Sequence, residues 1–386
     1  MSSLVPIFSI ESGHVISALA KISSGSLPEI IFIHQEDFPF QENVDSERLE
    51  ESALKALSKS LKPFQDFVLE KKHAHLGEPA IILGAPWYQS ESKIIKGTEK
   101  AAFVVKESYI DELIKRELEE RQKDSKLNTS GLSLVDKKIG SILLNGYATA
   151  QPYGKKAVSV EFPLFLSMMP ASFKEKIKEI LKTALPFKQS IWETLSMILF
   201  TGLQNIAPES KNSLIIEVGA ELTEISHVKN SSLEETVSLP FGTNTLIRSI
   251  SKDLKVTPQI AHSMLELFQN KKVEASSSDK MTIALQEAEM EWRKLFTEAL
   301  TSLSRTALLP TTAYLFSQTE YLPICAKFIE GEEFVQSMLP GGKFTIIPAD
   351  ALDLHKIVAT PFLGRRTPSF QISTLFVSWL LSQKQK

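Results

Sequence analysis

Few side chains in this sequence stand where their types and spacing would do chemistry. The single cysteine, Cys325, sits in the apolar run 321–328, with no partner for a disulfide or a metal cluster, and reads as a buried structural thiol. Such usage fits a reducing compartment. His73 and His75 flank Ala74, but no carboxylate cluster or further histidine is adjacent, so a surface loop is the simpler reading than a metal pair. Gly341-Gly342-Lys343 lacks the preceding glycine spacing and following helix of a phosphate loop, and reads as a turn before a strand at 344–347. No serine lies in a nucleophile-elbow pattern. What remains is a set of turns between apolar runs: Glu11-Ser12-Gly13-His14, Gly219-Ala220-Glu221 and Pro240-Phe241-Gly242. Small and acidic residues there serve ordinary turn geometry.

Those turns are positioned by a pattern that occurs twice. Apolar runs at 4–10, 15–22 and 29–34 predict three strands. A helix capped by Asp45 or Ser46 follows, with Leu49, Ala53, Leu57 and Leu61 on one face, and then a short buried strand at 80–83 before Gly84-Ala85-Pro86. Runs at 213–218, 222–229 and 233–239 repeat the three strands, Leu246, Ile247, Ile250 and Leu254 repeat the helix face, and 312–316 repeats the later strand. An internal duplication of this kind predicts two related α/β lobes facing a cleft.

The intervening segment has a different texture. It predicts a strand at 101–105, a helix opened by Ser108 and Asp111 with Tyr109, Ile110, Leu113, Ile114 and Leu118 on one side, and a polar loop at 121–131. A hairpin of 137–150 and 156–168 about Gln151-Pro152-Tyr153-Gly154 follows, and then a helix with Ser172 and Glu175 as its capping box. In the second lobe Thr257 caps a helix with Pro258 at its first position. A polar loop at 270–279 and a long helix over 281–308 come next.

The 386 residues are enough for two lobes, and 43% hydrophobic with 23% charged residues is the balance of a globular chain. A net charge of -3 with interspersed signs excludes the basic stripe of a nucleic-acid binder. The first residues lack a signal-peptide pattern, and no apolar run reaches the roughly 18 residues of a membrane span. The expectation is a soluble cytoplasmic protein, peripheral to the inner membrane only through partners.

Two stretches resemble a known family. SLIIEVGAELTEISHVKNSSLEETVSLPFGTN, from Ser213 to Asn244, looks like the second phosphate-loop region of FtsA-type actin homologues. LLNGYATAQPYGKKAVSVEFPLFLS, from Leu143 to Ser167, looks like the hairpin of that family's SHS2 insertion, through the spacing of Asn145, Gly146, Tyr147, Pro152, Gly154 and Lys155. The resemblance covers most of the chain in element order. It implies an α/β fold of duplicated actin-like (ribonuclease H-like) lobes with a small α+β SHS2-like insertion. The first lobe would take 1–96 and 171–210, the insertion 97–170, and the second lobe 211–386, with a helical cap at about 257–309.

The resemblance also implies a nucleotide between the lobes, held by backbone amides of two glycine turns, with an acidic residue handling magnesium. Carried over position by position, the contacts would be Ser12, Gly13, Glu217, Gly219, Thr223, Gly242 and Thr243. The family's first Asp is Ser9 here, its Gly is Glu11 and its Lys is His14, while Ala220 and Glu221 replace glycines of the second turn. A carboxylate facing phosphate in a half-buried cleft costs on the order of several kcal/mol. The adenine-side positions are His262 and Leu265, and the adenosine turn reads Phe316-Ser317-Gln318-Thr319-Glu320 without glycine. The expectation is a scaffold of a cell-division machine that does not hydrolyse ATP and has no required cofactor, though a weak hold on ATP and magnesium stays open. Its partner would be a tubulin-like division protein or an inner-membrane peptide of a pilus or division complex, with self-association as a further contact and no nucleic acid. The alternatives are a PilM-like cytoplasmic adaptor of type IV pilus assembly and an active actin-fold ATPase. The run Leu375, Phe376, Val377, Trp379, Leu380 and Leu381 is apolar around most of a helix and predicts a core helix rather than a membrane anchor.

Overall fold

The computed structural model describes residues 2–23, 25–70, 75–123, 131–270, 272, 275–305, 308–330, 344–360 and 368–384. His73, Gly341-Gly342-Lys343 and most of the expected loop at 121–131 lie outside them.

The duplication is explicit in the strand order. In the first lobe β1 (Ser2–Ile10), β2 (His14–Ser23) and β3 (Glu29–Asp37) form an antiparallel meander. The strands β4 (Ala80–Leu83) and β10 (Ile191–Thr194) add in parallel beside β1, giving the order β10-β4-β1-β2-β3. In the second lobe β11 (Ser213–Val218), β12 (Thr223–Lys229) and β13 (Ser232–Leu239) form the same meander. Beside β11 the parallel strands β14 (Thr312–Ser317) and β15 (Thr345–Pro348) complete β13-β12-β11-β14-β15.

The outer face of the first sheet is covered by α1 (Ser46–Glu70), entered through the Asp45 side chain, whose Oδ1 accepts from Arg48 N, and by α3 (Ala171–Ala184). On the second lobe, α5 (Thr243–Leu254), α6 (Pro258–Gln269), α7 (Ala275–Ser304) and α8 (Leu322–Ile329) do the same. Between the two sheets lie α4 (Leu195–Ile206) and α9 (Pro368–Lys384). Their side chains join Ile7 and Ile82 of the first sheet and Ile215 and Tyr314 of the second in one core. Thus α9 is a core helix, as its all-round apolar pattern demands, and among the described residues no helix is long and apolar enough to cross a membrane.

A third sheet is built on β5 (Gln89–Val104) and β9 (Lys156–Pro170). It also holds β6 (Leu132–Ile139) and the two short strands β7 (Leu143–Leu144) and β8 (Tyr147–Ala148). The helix α2 (Glu107–Lys123) packs Ile110, Leu113 and Ile114 against Phe162 and Leu164 of this sheet.

Several local expectations are corrected. The strand expected at 101–105 is the end of β5, which already begins at Gln89. The single arm expected at 137–150 is broken, because β6 ends at Ile139 and Asn145 and Gly146 adopt left-handed φ values of 51° and 84° in a tight turn between β7 and β8. Ser108 lies inside the first turn of α2, which starts at Glu107, and α3 opens after Pro170 with no side-chain cap, so neither serine caps its helix. The loop at 270–279 is shorter than expected, since α7 begins at Ala275 and ends at Ser304. The Thr257 cap stands, its hydroxyl accepting from Ile260 N at 3.4 Å ahead of Pro258.

The crossing of α4 and α9 depends on Gly202, where an added Cβ would lie 2.2 Å from Ile372 Cγ2. Replacing Gly202 by leucine forces the helices apart and should cost about 1–3 kcal/mol. Urea unfolding of wild type and Gly202→Leu checks this; an unchanged midpoint would show that the crossing yields freely.

Candidate functional site

The two turns singled out in the sequence meet at the junction of the lobes. The first follows β1, and the second links β11 to β12. Ser12 Oγ accepts the backbone N–H of Glu221 at 3.1 Å, directly joining one lobe to the other. A Cβ on Gly13 would sit 2.3 Å from Ala220 Cβ, and one on Gly242 would sit 2.3 Å from the Ala220 carbonyl oxygen. Glycine is required at both positions by close approach.

Several of the amides that could serve an anion are bonded within the chain. Thr243 N donates to Gly219 O at 2.9 Å, Asn244 N to Ala220 O at 2.8 Å and Gly219 N to Leu222 O at 2.9 Å. Glu11 N donates to His14 O at 3.1 Å. The helix-terminus donors that usually receive phosphate are therefore spent on the second turn's own carbonyls. Thr223 Oγ1 donates to Phe241 O at 2.7 Å and braces β12. Bonded in this way, the Gly219, Thr243 and Asn244 amides are not offered to a phosphate lying between the turns.

Glu221 departs from its expected orientation toward phosphate. Its carboxylate lies on α5, accepting from Asn244 Nδ2 at 2.8 Å and from Arg248 Nη2 at 2.5 Å. Phe316 departs as well. It is buried in the core between the sheets, and the neighbouring Ser317 Oγ donates to Val218 O at 2.9 Å. Beside the contact of the turns a cavity of about 390 Å³ opens between the lobes, lined by Gly13, His14, Phe38 and Phe40 of the first and by Ala220, Thr243, Asn244, His262 and Tyr321 of the second. Leu265 is buried beside it in the second-lobe core.

Behind the turns lies a buried polar node that the sequence reading missed. Tyr88 O–H reaches Glu224 Oε2 at 2.5 Å and Ser196 Oγ at 3.1 Å. Thr194 donates to Asp136 Oδ2 from both its backbone N, at 2.7 Å, and its hydroxyl, at 2.6 Å. The node ties β12, the start of α4 and β6 together, so it touches all three sheets. The available signal was an acidic residue inside each apolar strand, at Glu193, Glu217 and Glu224. Register sets Glu217 directly opposite Glu224, whereas Glu193 lies in the first lobe's sheet.

The charges follow from this burial. For Glu11, burial pushes the carboxyl up, but the charge of His14 at 3.5 Å and hydrogen bonds from His14 and Ser9 outweigh it and hold it below the usual range. Glu217 is raised well above that range by burial and then by the charges of Glu11 and Glu224. Burial takes Glu224 up to about 7, against the hydrogen bond from Tyr88. Burial and the charge of Asp136 take Glu193 up to about 8. Among the described residues no group of three His, Cys, Asp or Glu side chains could hold a metal ion. Cys325 is buried under β14, and burial pushes its thiol up to about 12.

These two facing lobes, each a three-strand meander extended by two parallel strands, define the actin-like fold. No family model matches the chain, and no curated protein does. Among solved structures, the PilM–PilN type IV pilus biogenesis complex aligns with 98% of this chain and 97% of its own, at 14% identity and a TM-score of 0.56. The MamK double helical filament aligns over 99% of each chain at 11% identity and a TM-score of 0.46. The ethanolamine utilization protein EutJ from Carboxydothermus hydrogenoformans aligns over 98% of this chain and 89% of its own, at 9% identity and 0.44. At these identities the likeness is one of fold.

Carboxyls whose pKa is raised above the unfolded 4.5 contribute stability that is complete below that value and is lost as pH rises through their folded values near 7 and 8. The urea midpoint should therefore fall between about pH 5 and about pH 9, and fall less in Glu193→Gln, which carries no charge at either pH. An equal fall in both proteins would show that Glu193 ionises without cost.

Proposed function

We propose that this chain is an actin-fold adaptor of a bacterial envelope assembly that does not turn over ATP. The observation that carries the reading is the direct contact of the two turns, with Ser12 Oγ on Glu221 N at 3.1 Å and Gly13 against Ala220. Glu11, which keeps its charge, adds a buried carboxylate behind that contact that opposes an incoming polyphosphate. An actin-like fold without a working nucleotide cleft retains its surfaces, and binding is what surfaces do.

The likeness to a PilM–PilN complex supports a pilus-type partner: a segment of an inner-membrane assembly protein captured on the cytoplasmic side. The division role, with a tubulin-like partner, rests on the resemblance of 143–167 and 213–244 to FtsA-type sequences and stands second.

The test is ATP turnover and partner capture together. Purified protein with ATP and magnesium should release phosphate no faster than buffer. A membrane partner captured from native cells should be recovered equally with and without ATP in the lysate. Turnover abolished by Glu217→Ala would overturn the reading.

A further inference from the structure

Phe40 and Gln41, between β3 and α1 of the first lobe, reach across to the second lobe. Phe40 packs against the second lobe's core. The Arg248 guanidinium of α5 stands over the Phe40 ring, 5.7 Å from its centroid. The same guanidinium donates through Nη1 to the Gln41 carbonyl at 3.0 Å and through Nη2 to Thr245 Oγ1 at 3.0 Å and Glu221 Oε2 at 2.5 Å. Arg248 thus touches both lobes at once. It also fixes Glu221, the residue whose backbone N–H is held by Ser12 of the opposite lobe.

We infer that Arg248 is a clasp that holds the two lobes together at the contact of their turns. Two lobes joined through a hinge stay closed only if something binds the closed state better than the open one. Here that differential contact is internal. Opening would break the Gln41 bond, uncover Phe40 and release the Ser12–Glu221 bond in one movement. The pair differs from an ordinary surface ion pair, because the Glu221 and Arg248 side chains are only 6% and 18% exposed. A planar fork is needed, since one group serves a carboxylate, a carbonyl and a ring face together, and the point charge of a lysine could not. The clasp holds whether or not the chain turns over ATP, so its test is independent of the function proposed above.

Hydrogen exchange of the full chain, without nucleotide, reads the clasp. Arg248→Ala and, separately, Phe40→Leu should each speed exchange of the peptide spanning 219–222 by roughly tenfold or more, while the peptide spanning 313–315 in the buried strand β14 is unchanged. Arg248→Lys should fall between Arg248→Ala and wild type. Wild-type protection at 219–222 in Arg248→Ala and Phe40→Leu would overturn the clasp. Equal acceleration at 219–222 and 313–315 would overturn it as well, because that is plain loss of stability.

Discussion

Ala220 is gripped between two glycines, Gly13 from the first lobe and Gly242 at the head of α5, each so close that a single added carbon would collide. Much of the cleft follows from that grip. With the backbones in contact, the head of α5 directs its amides onto the Gly219 and Ala220 carbonyls. With Ser12 on the Glu221 amide, the Glu221 side chain has no room to point across the junction, and it lies back along α5 onto Arg248. The residues that departed from a nucleotide-binding pattern are therefore mutually consistent: Ser12, Glu221, Thr243 and Asn244 bond to one another's turns and to Arg248.

The junction is also where the molecule holds its charge out of water. Glu11 keeps its charge because His14 and Ser9 serve it. Glu217 and Glu224 face each other across adjacent strands, and like charges so placed repel. The fold resolves this by holding both at raised pKa, so that protons rather than cations neutralise the pair. Tyr88 then donates to a group that is easily accommodated in a dry interior.

Much of the fold was legible in the sequence, because buried strands read as apolar runs and the run–turn–run pattern of 4–34 recurs at 213–239. The core placement of α9 followed from its lack of a polar face. Helix starts were less legible: Ser108 and Ser172 have capping chemistry, yet both sit one residue inside their helices, where Glu107 and Ala171 already have helical geometry. The two turns could be named, since small residues after a strand mark a turn, but their contact could not, because it depends on how the lobes pack. Asp136, Glu193 and Glu224 are far apart in the chain and lie in three different sheets that meet only when the fold packs, and Arg248 is an unremarkable polar position on an amphipathic helix until Phe40 and Gln41 are placed beside it. Phe316 belongs to β14 rather than to the turn after it, for a related reason. All but the first residue of β14 is buried, so alternation gave no sign of which face meets the cleft.

The packing of α9 against α4 has a consequence for how the chain is made. Between these helices in the chain lies the whole second sheet and its helical cover, so the core joining the lobes closes only after the second lobe has been made. Until residues 368–384 emerge, the inner faces of both sheets lack their central filling, and Phe200, Leu203 and Tyr314 stand without their partners. The entropy of closing so long a loop grows only slowly with its length, so the finished structure loses little by this arrangement. The burden falls on the nascent chain, which carries an open apolar seam while the second lobe is being made, and exposed surface of that kind is prone to aggregate.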